Sequence, residues 1–460
     1  MKVALIGGGG ARTPAALYAL ARGGSLLPVE QVALYDRDLA RMRAMKRVCE
    51  SLLHGLETPL RITFAEEAET AIAGADFVIV SVRVGGQAGR AADERIALQC
   101  GCIGQETTGP GGFSYALRSI PVVGYYAELA GRLAPNAWLI NFTNPAGLVT
   151  QALNQVSPVP IVGVCDSPQV LARRVCDAAG IPEDQLDWRY SGLNHLGWLS
   201  SARYRDREVL PAIIADDSDL ARLAQDDLIP PSLIRHLGAV PNEYCYYYYL
   251  RDQALERQLA ARETRGQLLA RLDGQLEQDL AQAGPEDADQ LVACYGQYYK
   301  AREESYLAAE RQTPRRLPEQ SLRELILSGG QGYMEVAFKI IAGLGGLGNE
   351  RAVLNVSNSS GVIPGMKEDD IVETMCEITP DGILPLPGPP LLPESLALLQ
   401  MVKAYERLTA DAARTGSRWL AIRALTHHPL VASYPLAEKL VDAYLLEHRA
   451  FLPQFWREGP

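Results

Sequence analysis

The sequence predicts an α/β fold, in which a parallel sheet over residues 1–165 is followed by a region of mixed α and β structure over 166–460. In the first region, helical patterns separate several short apolar segments that are typical of buried strands. These segments are KVALIG, QVALYD, DFVIVSV, AWLINFT and PIVGVCD. Alternation of strands and helices indicates a parallel sheet covered by helices on both faces. We therefore expect two domains, divided between residues 165 and 166.

The second region shows looser patterns. The segment WLSSARYRD at 198–206 is predicted to start a second sheet. Long helical patterns follow at 243–259 and 268–282. A further strand, AVLNVSN at 352–358, precedes a final helical region over 394–450. This mixture indicates an α+β domain after the parallel sheet.

The composition is that of an ordinary globular protein and argues against several classes. Of the 460 residues, 47% are hydrophobic and 22% are charged, and a net charge of -11 disfavours a nucleic-acid-binding protein. The apolar run at the N-terminus is too short for a signal peptide. No stretch of about 18 apolar residues is present, so we expect no membrane span. Eight scattered cysteines favour reduced thiols and a cytoplasmic location.

A glycine-rich turn follows the first predicted strand. The segment IGGGGARTP contains Gly7, Gly8, Gly9 and Gly10 and leads into a predicted helix. Glycines permit a tight turn there and let the helix N-terminus approach a pyrophosphate closely. Asp36 closes the second predicted strand, where a carboxylate can bind ribose hydroxyls. The turn departs from G-x-G-x-x-G at its last position and could serve packing alone, but with Asp36 it predicts a Rossmann-like dinucleotide site.

A cysteine and a histidine follow predicted strands in the middle of the chain. Cys165 ends the last apolar segment and is followed by Asp166, and His195 lies in the next segment after Asn194. Ligand sites of α/β sheets form at strand ends, and a thiolate and an imidazole can together hold a divalent metal. The alternative is a buried cysteine and a core histidine with structural roles only.

Five tyrosines lie within NEYCYYYYL at 242–250. Most of them are expected to be core residues of an aromatic helix. A helix projects residues i and i+4 to one face, so Tyr244 and Tyr248 are predicted to point together, with Tyr246 rotated away.

Several motifs occur in a specific order and carry a family resemblance. They are RVGG (83–86), DERIALQCGCIGQETTGPGGFSYALRSIP (93–121), NFTNPAG (141–147), CDSP (165–168) and NHLGW (194–198). With them the chain resembles glycoside hydrolase family 4, the NAD- and metal-dependent glycosidases, over almost its whole length. The resemblance implies a lactate/malate dehydrogenase-like architecture, NAD as cofactor and a divalent metal, typically Mn²⁺. A thiolate is a soft ligand and Mn²⁺ is a hard ion. The resemblance therefore predicts the presence of a divalent metal more firmly than it predicts that the metal is manganese.

The resemblance also implies catalytic roles. Cys165 and His195 occupy the family's metal-ligand positions. In the family pattern P-x-x-Y-x-x-Y-Y, which starts here at Pro241, the general base corresponds to Tyr244, and Asp166 is expected to protonate the leaving oxygen. The implied reaction oxidises C3 of the sugar with NAD⁺, removes the C2 proton, eliminates the leaving group, adds water and returns the hydride. Family 4 thereby departs from the two-carboxylate mechanism of other glycosidases.

Four further residues match family positions around the sugar. Arg90 and Arg265 are predicted to bind a substrate phosphate, because guanidinium groups bind phosphate through paired hydrogen bonds. Arg265 could instead lie on a solvated helix face. Glu106 and Asn144 are expected to line the sugar site, although Glu106 could instead brace the glycine-rich turn that follows it.

The expected substrate is a phosphorylated glucoside or disaccharide. RVGG and PNEYCYYYY look more like the 6-phospho-β-glucosidases of the family, whereas CDSP resembles the 6-phospho-α-glucosidases. We therefore expect hydrolysis of 6-phospho-β-glucosides to glucose 6-phosphate and the aglycone, with the α-enzyme as the alternative. A hydroxy-acid dehydrogenase and a NAD-binding sensor without turnover are rivals from other classes. We expect a homodimer or a homotetramer.

Overall fold

Strands and helices alternate up to residue 179, as the sequence predicts. The structure, a computed structural model, describes residues 1–23, 28–58, 60–224, 228–284, 287–311, 313–328 and 333–456. The strands of this first part are β1 (Lys2–Ile6), β2 (Gln31–Tyr35), β3 (Arg61–Ala65), β4 (Phe77–Val80), β5 (Trp138–Asn141) and β6 (Ile161–Gly163). Its helices are α1 (Thr13–Gly23), α2 (Leu39–Leu53), α3 (Ala68–Ile72), α4 (Gly86–Gln99), α5 (Gly109–Leu133), α6 (Ala146–Leu153) and α7 (Ser167–Ala179).

These six strands are parallel and lie in the order β3-β2-β1-β4-β5-β6. The order reverses between β1 and β4, which is the topology of dinucleotide-binding sheets. Ligands of such sheets bind beyond the carboxyl ends of the strands, at this reversal. The glycine turn after β1, the acid after β2 and the loops after β4, β5 and β6 therefore lie along one edge of the sheet.

The second part contains strands of two to nine residues and most of the described helices. Its strands are β7 (Asp187–Leu193), β8 (Leu196–Tyr204), β9 (Arg207–Glu208), β10 (Val240–Pro241), β11 (Glu350–Ser357), β12 (Ile371–Thr379) and β13 (Gly382–Pro385). Its helices are α8 (Leu210–Ala215), α9 (Asp217–Leu223), α10 (Pro231–Leu237), α11 (Tyr246–Tyr249), α12 (Arg251–Ala260), α13 (Arg265–Gln282), α14 (Ala288–Glu304), α15 (Leu322–Ser328), α16 (Tyr333–Leu344), α17 (Pro393–Thr415), α18 (Arg418–His427) and α19 (Tyr434–Glu447). Short 3₁₀ turns lie at Glu183–Gln185, Glu243–Cys245, Arg449–Phe451 and Pro453–Phe455. Within the described ranges, no helix is long and apolar enough to cross a membrane.

The prediction of a separate second sheet is wrong. The segment at 198–206 contributes to β8, and β11 pairs antiparallel with β6 through Asn355 and Gly163. β12, β7, β8 and β10 then follow β11 in the sheet, so one sheet of thirteen strands runs through the described residues. β11 is distant from β6 in the chain, and a local pattern does not reveal such a pairing. The domain boundary after residue 165 stays a prediction.

Successive side chains of β1 pack on opposite faces of the sheet. Val3 and Leu5 join a core shared with α1 and α16, whereas Ala4 and Ile6 join a core shared with α5 and α17. Because helices cover both faces, the strands have continuous apolar sequences instead of alternating ones. Burial of one large apolar side chain contributes roughly 1.5–3 kcal/mol to stability.

Candidate active site at the edge of the sheet

The glycine turn packs tightly against the neighbouring strand ends. Gly7 has a positive φ of 95°, and a Cβ atom there would lie 2.1 Å from the carbonyl oxygen of Ser81, so glycine is required. The amide of Gly9 donates to Asp36 Oδ2 at 2.9 Å. The predicted turn at 7–10 and the predicted acid therefore meet at the sheet edge.

Arg41 in α2 connects this turn to the second part of the chain. Its Nε donates to the carbonyl oxygen of Gly9 at 3.1 Å, and its Nη2 is paired with Asp273 in α13 at 2.9 Å. Asp36, beside the turn, is partly removed from solvent. This desolvation raises the pKa of its carboxyl, although two backbone N–H groups favour the charged form. The turn thus has a fixed backbone and an acid beside it, which fits a dinucleotide.

Cys165 and Asp166 lie between β6 and α7, at the same edge. Cys165 is buried, and this burial, together with the nearby carboxyls of Glu373 and Asp166, raises the pKa of its thiol well above its ordinary value. Desolvation also raises the pKa of Asp166 to about 6, although Arg12 acts in the opposite direction. A carboxyl with a pKa near the working pH can serve as a general acid.

His195 lies in the turn between β7 and β8 and has a positive φ of 65°. Its ring is stacked on the ring of Tyr244, with centroids 3.8 Å apart and an angle of 14° between the planes. Burial lowers the pKa of His195 to about 3, so the imidazole is neutral near pH 7. The stacking joins two candidates that lie about fifty positions apart in the sequence.

The hydrogen bonds of Thr107 select the tautomer of this imidazole. The hydroxyl of Thr107 donates to Gln105 Oε1 at 3.0 Å and lies 2.9 Å from His195 Nδ1. Since its proton points to Gln105, the hydroxyl oxygen accepts from Nδ1–H of His195. Nε2 of His195 then carries the lone pair that a metal ion binds.

Tyr244 lies in the 3₁₀ turn Glu243–Cys245 and not in a helix. Its hydroxyl is 3.0 Å from that of Tyr306, and the hydroxyl of Tyr306 donates to Glu243 Oε1 at 2.5 Å. Neither Glu243 nor Tyr306 is among the residues that the sequence predicts for the site.

The helical premise for pairing Tyr244 with Tyr248 is wrong. α11 begins only at Tyr246, so the i, i+4 spacing does not apply to Tyr244. The ring of Tyr248 instead lies near His428, with centroids 6.2 Å apart.

Glu106 is enclosed by two arginines. Its carboxylate is paired with Arg83 at 2.6 Å and with Arg90 at 3.0 Å. Burial acts to raise its pKa, but the two guanidinium groups outweigh burial and hold the pKa of Glu106 well below its ordinary value. Arg90 is also paired with Glu94 at 2.8 Å and is only 4% exposed. The guanidinium of Arg90 is therefore already shared between two carboxylates.

Arg265, the first residue of α13, has a different environment. Its guanidinium donates to Ser305 Oγ at 3.1 Å and to the carbonyl oxygen of Arg302 at 3.4 Å, and it lies over the ring of Tyr306. Burial, together with the neighbouring charges of Arg90 and Arg302, lowers the pKa of Arg265 to about 10. These hydrogen bonds go to neutral groups, so this half-buried cation is suited to a bound anion and does not lie on a fully solvated helix face.

Asn144 lies in the loop between β5 and α6, before a cis proline. Its side chain accepts a hydrogen bond from the amide of Ala146 at 3.3 Å. The amide of the next residue, Gly147, donates to Asn194 Oδ1 at 3.4 Å. Because Asn194 directly precedes His195, the Asn144 loop and the His195 turn are held together.

Glu373 in β12 is fully buried beneath this turn and accepts hydrogen bonds from neutral donors. The donors are Tyr190 Oη at 3.0 Å, Asn194 Nδ2 at 3.1 Å and Asn355 Nδ2 at 2.9 Å. Burial outweighs these bonds and raises the pKa of Glu373 to about 7.

Comparison with known proteins decides the family. The model of family 4 glycosyl hydrolases matches residues 2–181, and the model of the C-terminal domain of the same family matches residues 190–431. This chain belongs to family 4 of the glycosyl hydrolases. The predicted resemblance is confirmed.

Relatives in family 4 include both β- and α-type enzymes. A protein of Bacillus subtilis named as a probable 6-phospho-beta-glucosidase is 30% identical over 100% of this chain and 98% of its own length. A 6-phospho-alpha-glucosidase of Leptotrichia buccalis is 30% identical over 55% of this chain and 61% of its own length.

Solved structures confirm the predicted fold class. The 6-phospho-beta glucosidase of Thermotoga maritima, in complex with NAD and glucose-6-phosphate, is 26% identical over 98% of this chain and 99% of that chain, with a TM-score of 0.80. A second structure of the same enzyme contains manganese, NAD+ and glucose-6-phosphate. A lactate dehydrogenase from a deep-sea metagenome is similar in fold alone, with 15% identity and a TM-score of 0.50 over 90% of this chain and 98% of that chain.

The donors present in this family 4 chain fit an open metal site. Across the residues that the structure describes, no group of three or more His, Cys, Asp or Glu side chains could hold a metal ion. Cys165 and His195 can supply two donors, one of them the lone pair on Nε2, and the thiol loses its proton when a metal binds. A metal held by these two residues would keep open positions for other ligands, as catalytic sites do.

Sequence reasoning missed five residues of this site, which are Arg83, Thr107, Glu243, Tyr306 and Glu373. Three of them had a local signal, since Arg83 begins the RVGG segment, Thr107 lies inside the GQETTGPGG segment and Glu243 directly precedes Tyr244. Tyr306 and Glu373 reach the site only through the fold, from positions 62 and 179 residues away from their partners Tyr244 and Asn194.

Proposed function

We propose that this chain hydrolyses 6-phospho-β-glucosides to glucose 6-phosphate and the aglycone, with NAD and a divalent metal ion such as Mn²⁺ as cofactors. The observation that carries the proposal is the stacking of a neutral His195 on Tyr244, which brings the candidate metal ligand against the candidate base. Full-length similarity to a probable 6-phospho-beta-glucosidase supports the substrate class. A cytoplasmic location and a homodimer or homotetramer belong to the same proposal.

Two parts of the sheet edge would hold the cofactors. The turn formed by Gly7, Gly8, Gly9 and Gly10, with Asp36 beside it, would bind NAD, while Cys165 and His195 would bind the metal. When bound, NAD⁺ supplies a two-electron acceptor for C3 of the sugar, and the metal supplies Lewis-acid polarisation. The protein's own groups orient the sugar and move protons.

Tyr244 and Asp166 carry the proposed proton transfers. Tyr244 takes the proton from C2 of the sugar as it passes its own hydroxyl proton to a hydrogen-bonded neighbour, and Asp166 gives its proton to the leaving oxygen as the C1–O bond breaks. A pKa of about 6 keeps part of the Asp166 population protonated near neutrality, as this role requires. Thr107 fixes the imidazole of His195, against which the ring of Tyr244 is stacked.

Arginines and polar side chains bind the substrate in this proposal. Arg265 binds the phosphate, supported by its hydrogen bonds to neutral groups, and Arg90 adds a second positive charge although its own hydrogen bonds go to carboxylates. Glu106 and Asn144 line the sugar site.

Chromogenic α- and β-glucoside 6-phosphates, assayed with NAD⁺ and Mn²⁺, test the proposal. We expect release of the chromophore from the β-anomer, no net NADH, and much slower release from unphosphorylated glucosides. Faster turnover of the α-anomer would favour the 6-phospho-α-glucosidase that CDSP resembles. Stoichiometric NADH without sugar release would favour a hydroxy-acid dehydrogenase instead.

Tyr244→Phe tests the base. The substitution keeps the ring stacked on His195 and removes the hydroxyl, so turnover is expected to fall by roughly 10²–10⁴, which is the usual contribution of a positioned base. Tyr246→Phe is the control and should cost little. In D₂O the sugar product should carry deuterium at C2, which a two-carboxylate glycosidase does not introduce. A product without deuterium at C2 would contradict the elimination mechanism.

A further inference from the structure

The hydroxyl of Tyr306 connects Tyr244 to a buried carboxylate. It lies 3.0 Å from Tyr244 Oη and 2.5 Å from Glu243 Oε1. A phenol has one proton, and the shorter bond to a carboxylate takes it. Tyr306 therefore accepts the O–H of Tyr244 and donates its own O–H to Glu243.

Glu243 is itself held in place from α7. The hydroxyl of Ser167 donates to Glu243 Oε1 at 3.3 Å, and Arg174 Nη2 lies 4.0 Å from Glu243 Oε2. Glu243 is only 5% exposed, so these bonds are shielded from solvent. The hydrogen-bond chain from Tyr244 through Tyr306 thus ends on Glu243, an acceptor that residues of α7 hold in place.

We propose that Tyr306 is a positioning residue for proton removal at C2 of the sugar. Stacking on His195 fixes the plane of the Tyr244 ring, but rotation about the C–O bond of the phenol would still let its proton lie on either edge of the ring. The hydrogen bond to Tyr306 holds this proton on one edge. As Tyr244 takes the C2 proton on the other edge, its own proton passes to Tyr306 and the proton of Tyr306 passes to Glu243. The inference rests on the proposed function, in which Tyr244 is the base.

A second tyrosine–glutamate pair provides a matched control. The hydroxyl of Tyr247 donates to Glu310 Oε1 at 2.9 Å, and both residues are buried. Glu310 also accepts from Gln258 Nε2 at 2.8 Å. Tyr247→Phe and Tyr306→Phe therefore each remove a hydrogen bond to a buried glutamate, and Tyr306→Phe also removes the bond to Tyr244.

Steady-state kinetics of the full chain with a chromogenic β-glucoside 6-phosphate, protonated or deuterated at C2, test the proposal. For Tyr306→Phe we expect kcat to fall about 10–100-fold, the effect of misplacing a reacting group, with KM within about twofold. The C2 deuterium isotope effect should equal or exceed that of the wild type, because proton removal is the slowed step. Tyr247→Phe should lower the melting temperature similarly and leave kcat and the isotope effect at wild-type values.

Equal kcat losses in the two variants, a smaller C2 isotope effect in Tyr306→Phe, or a change in KM alone would overturn the positioning role. Should Tyr306→Phe fail to fold, Glu243→Gln carries the test, since it keeps an acceptor for Tyr306 but removes the charge, and the same split between kcat and KM is expected. A wild type that releases no sugar contradicts the proposed function itself. A wild type that introduces deuterium at C2 while both tyrosine variants behave alike contradicts only the inference.

Discussion

The carboxyl groups of Glu106 and Glu373 are each connected to His195 through a single intervening residue, Thr107 or Asn194. The groups that surround the two carboxyls differ. Glu106 precedes Thr107, which holds His195 Nδ1, and its carboxylate is paired with two arginines. Glu373 binds Asn194, which precedes His195, and its hydrogen bonds come from neutral groups. The pKa of Glu106 is well below its ordinary value, whereas that of Glu373 is raised to about 7.

The difference shows that burial alone does not decide the charge of a carboxyl group. Desolvation acts to raise both pKa values, and the charge of the neighbours decides whether that effect prevails. The region around Glu106 is consequently an ionised network with an extra cation, Arg265, nearby. The region around Glu373 supports the His195 turn through hydrogen bonds from neutral donors. In the proposed function, anion binding would belong to the first region and backbone positioning to the second.

The largest expected effect is a difference in stability between two variants, Glu106→Gln and Glu373→Gln, which tests the contrast between the two carboxyl groups. Glu106→Gln leaves the buried Arg90 and the half-buried Arg83 with one fewer negative charge, so the free energy of unfolding should fall by about 3–5 kcal/mol. Glu373→Gln resembles the protonated acid in shape and charge, so at pH 5 it should change the free energy by less than about 1 kcal/mol. Urea denaturation of both variants measures the two values. Equal losses would mean that the arginines do not distinguish the two sites.

The next effect is the pH dependence that Glu373 produces. The ordinary pKa of its carboxyl is 4.5, and in the folded chain it is about 7. Below pH 4.5 both states hold the proton, and between the two values only the folded state holds it, so stability falls as pH rises through this window. Above pH 7 the loss is complete, on the order of 3–4 kcal/mol at about 1.4 kcal/mol per pKa unit.

Unfolding measured at pH 5 and pH 8 checks this prediction. The wild type should lose stability between the two pH values relative to Glu373→Gln, which does not titrate. Parallel pH profiles for wild type and variant would show that the fold does not raise the pKa of Glu373.

The smallest effect sharpens the functional side of the comparison. Arg265→Ala should raise KM for the phosphorylated glucoside by about 10–100-fold, or about 1.4–2.8 kcal/mol, because a desolvated cation opposite the phosphate is lost. The affinity for NAD, measured by titration, should not change. Arg271→Ala in the same helix is the control, since its side chain is 61% exposed and paired with Glu263. A similar KM rise in both variants would indicate a general effect of helix charge.

Much of the first part was predictable from the sequence. The strands of the parallel sheet are buried on both faces, so apolar runs such as DFVIVSV mark them directly. The glycine turn and the carboxylate of Asp36 follow from their positions after β1 and β2. Cys165 likewise lies where strand β6 ends. Each of these signals is local in the chain.

The features that were predicted wrongly or missed depend on contacts between segments that are distant in the chain. The i, i+4 argument for Tyr248 assumed that Tyr244 lies in an α-helix. The segment Glu243–Cys245 is a 3₁₀ turn instead, and it places the ring of Tyr244 against His195. Tyr306 and Glu373 have ordinary sequence surroundings and become part of the site only through tertiary packing. The single continuous sheet depends on pairing between β6 and β11, which local periodicity does not encode.

That pairing also sets an order of events during synthesis. β11 pairs with the side of β6 that faces away from β5. The paired residues Asn355 and Gly163 are 192 positions apart in the chain. Chains emerge from the ribosome at about 5–20 residues per second, so this edge stays unpaired for at least about ten seconds. An open edge strand is a template for pairing with other chains. β6 has only three residues, which keeps this exposed edge short while the rest of the chain is being made.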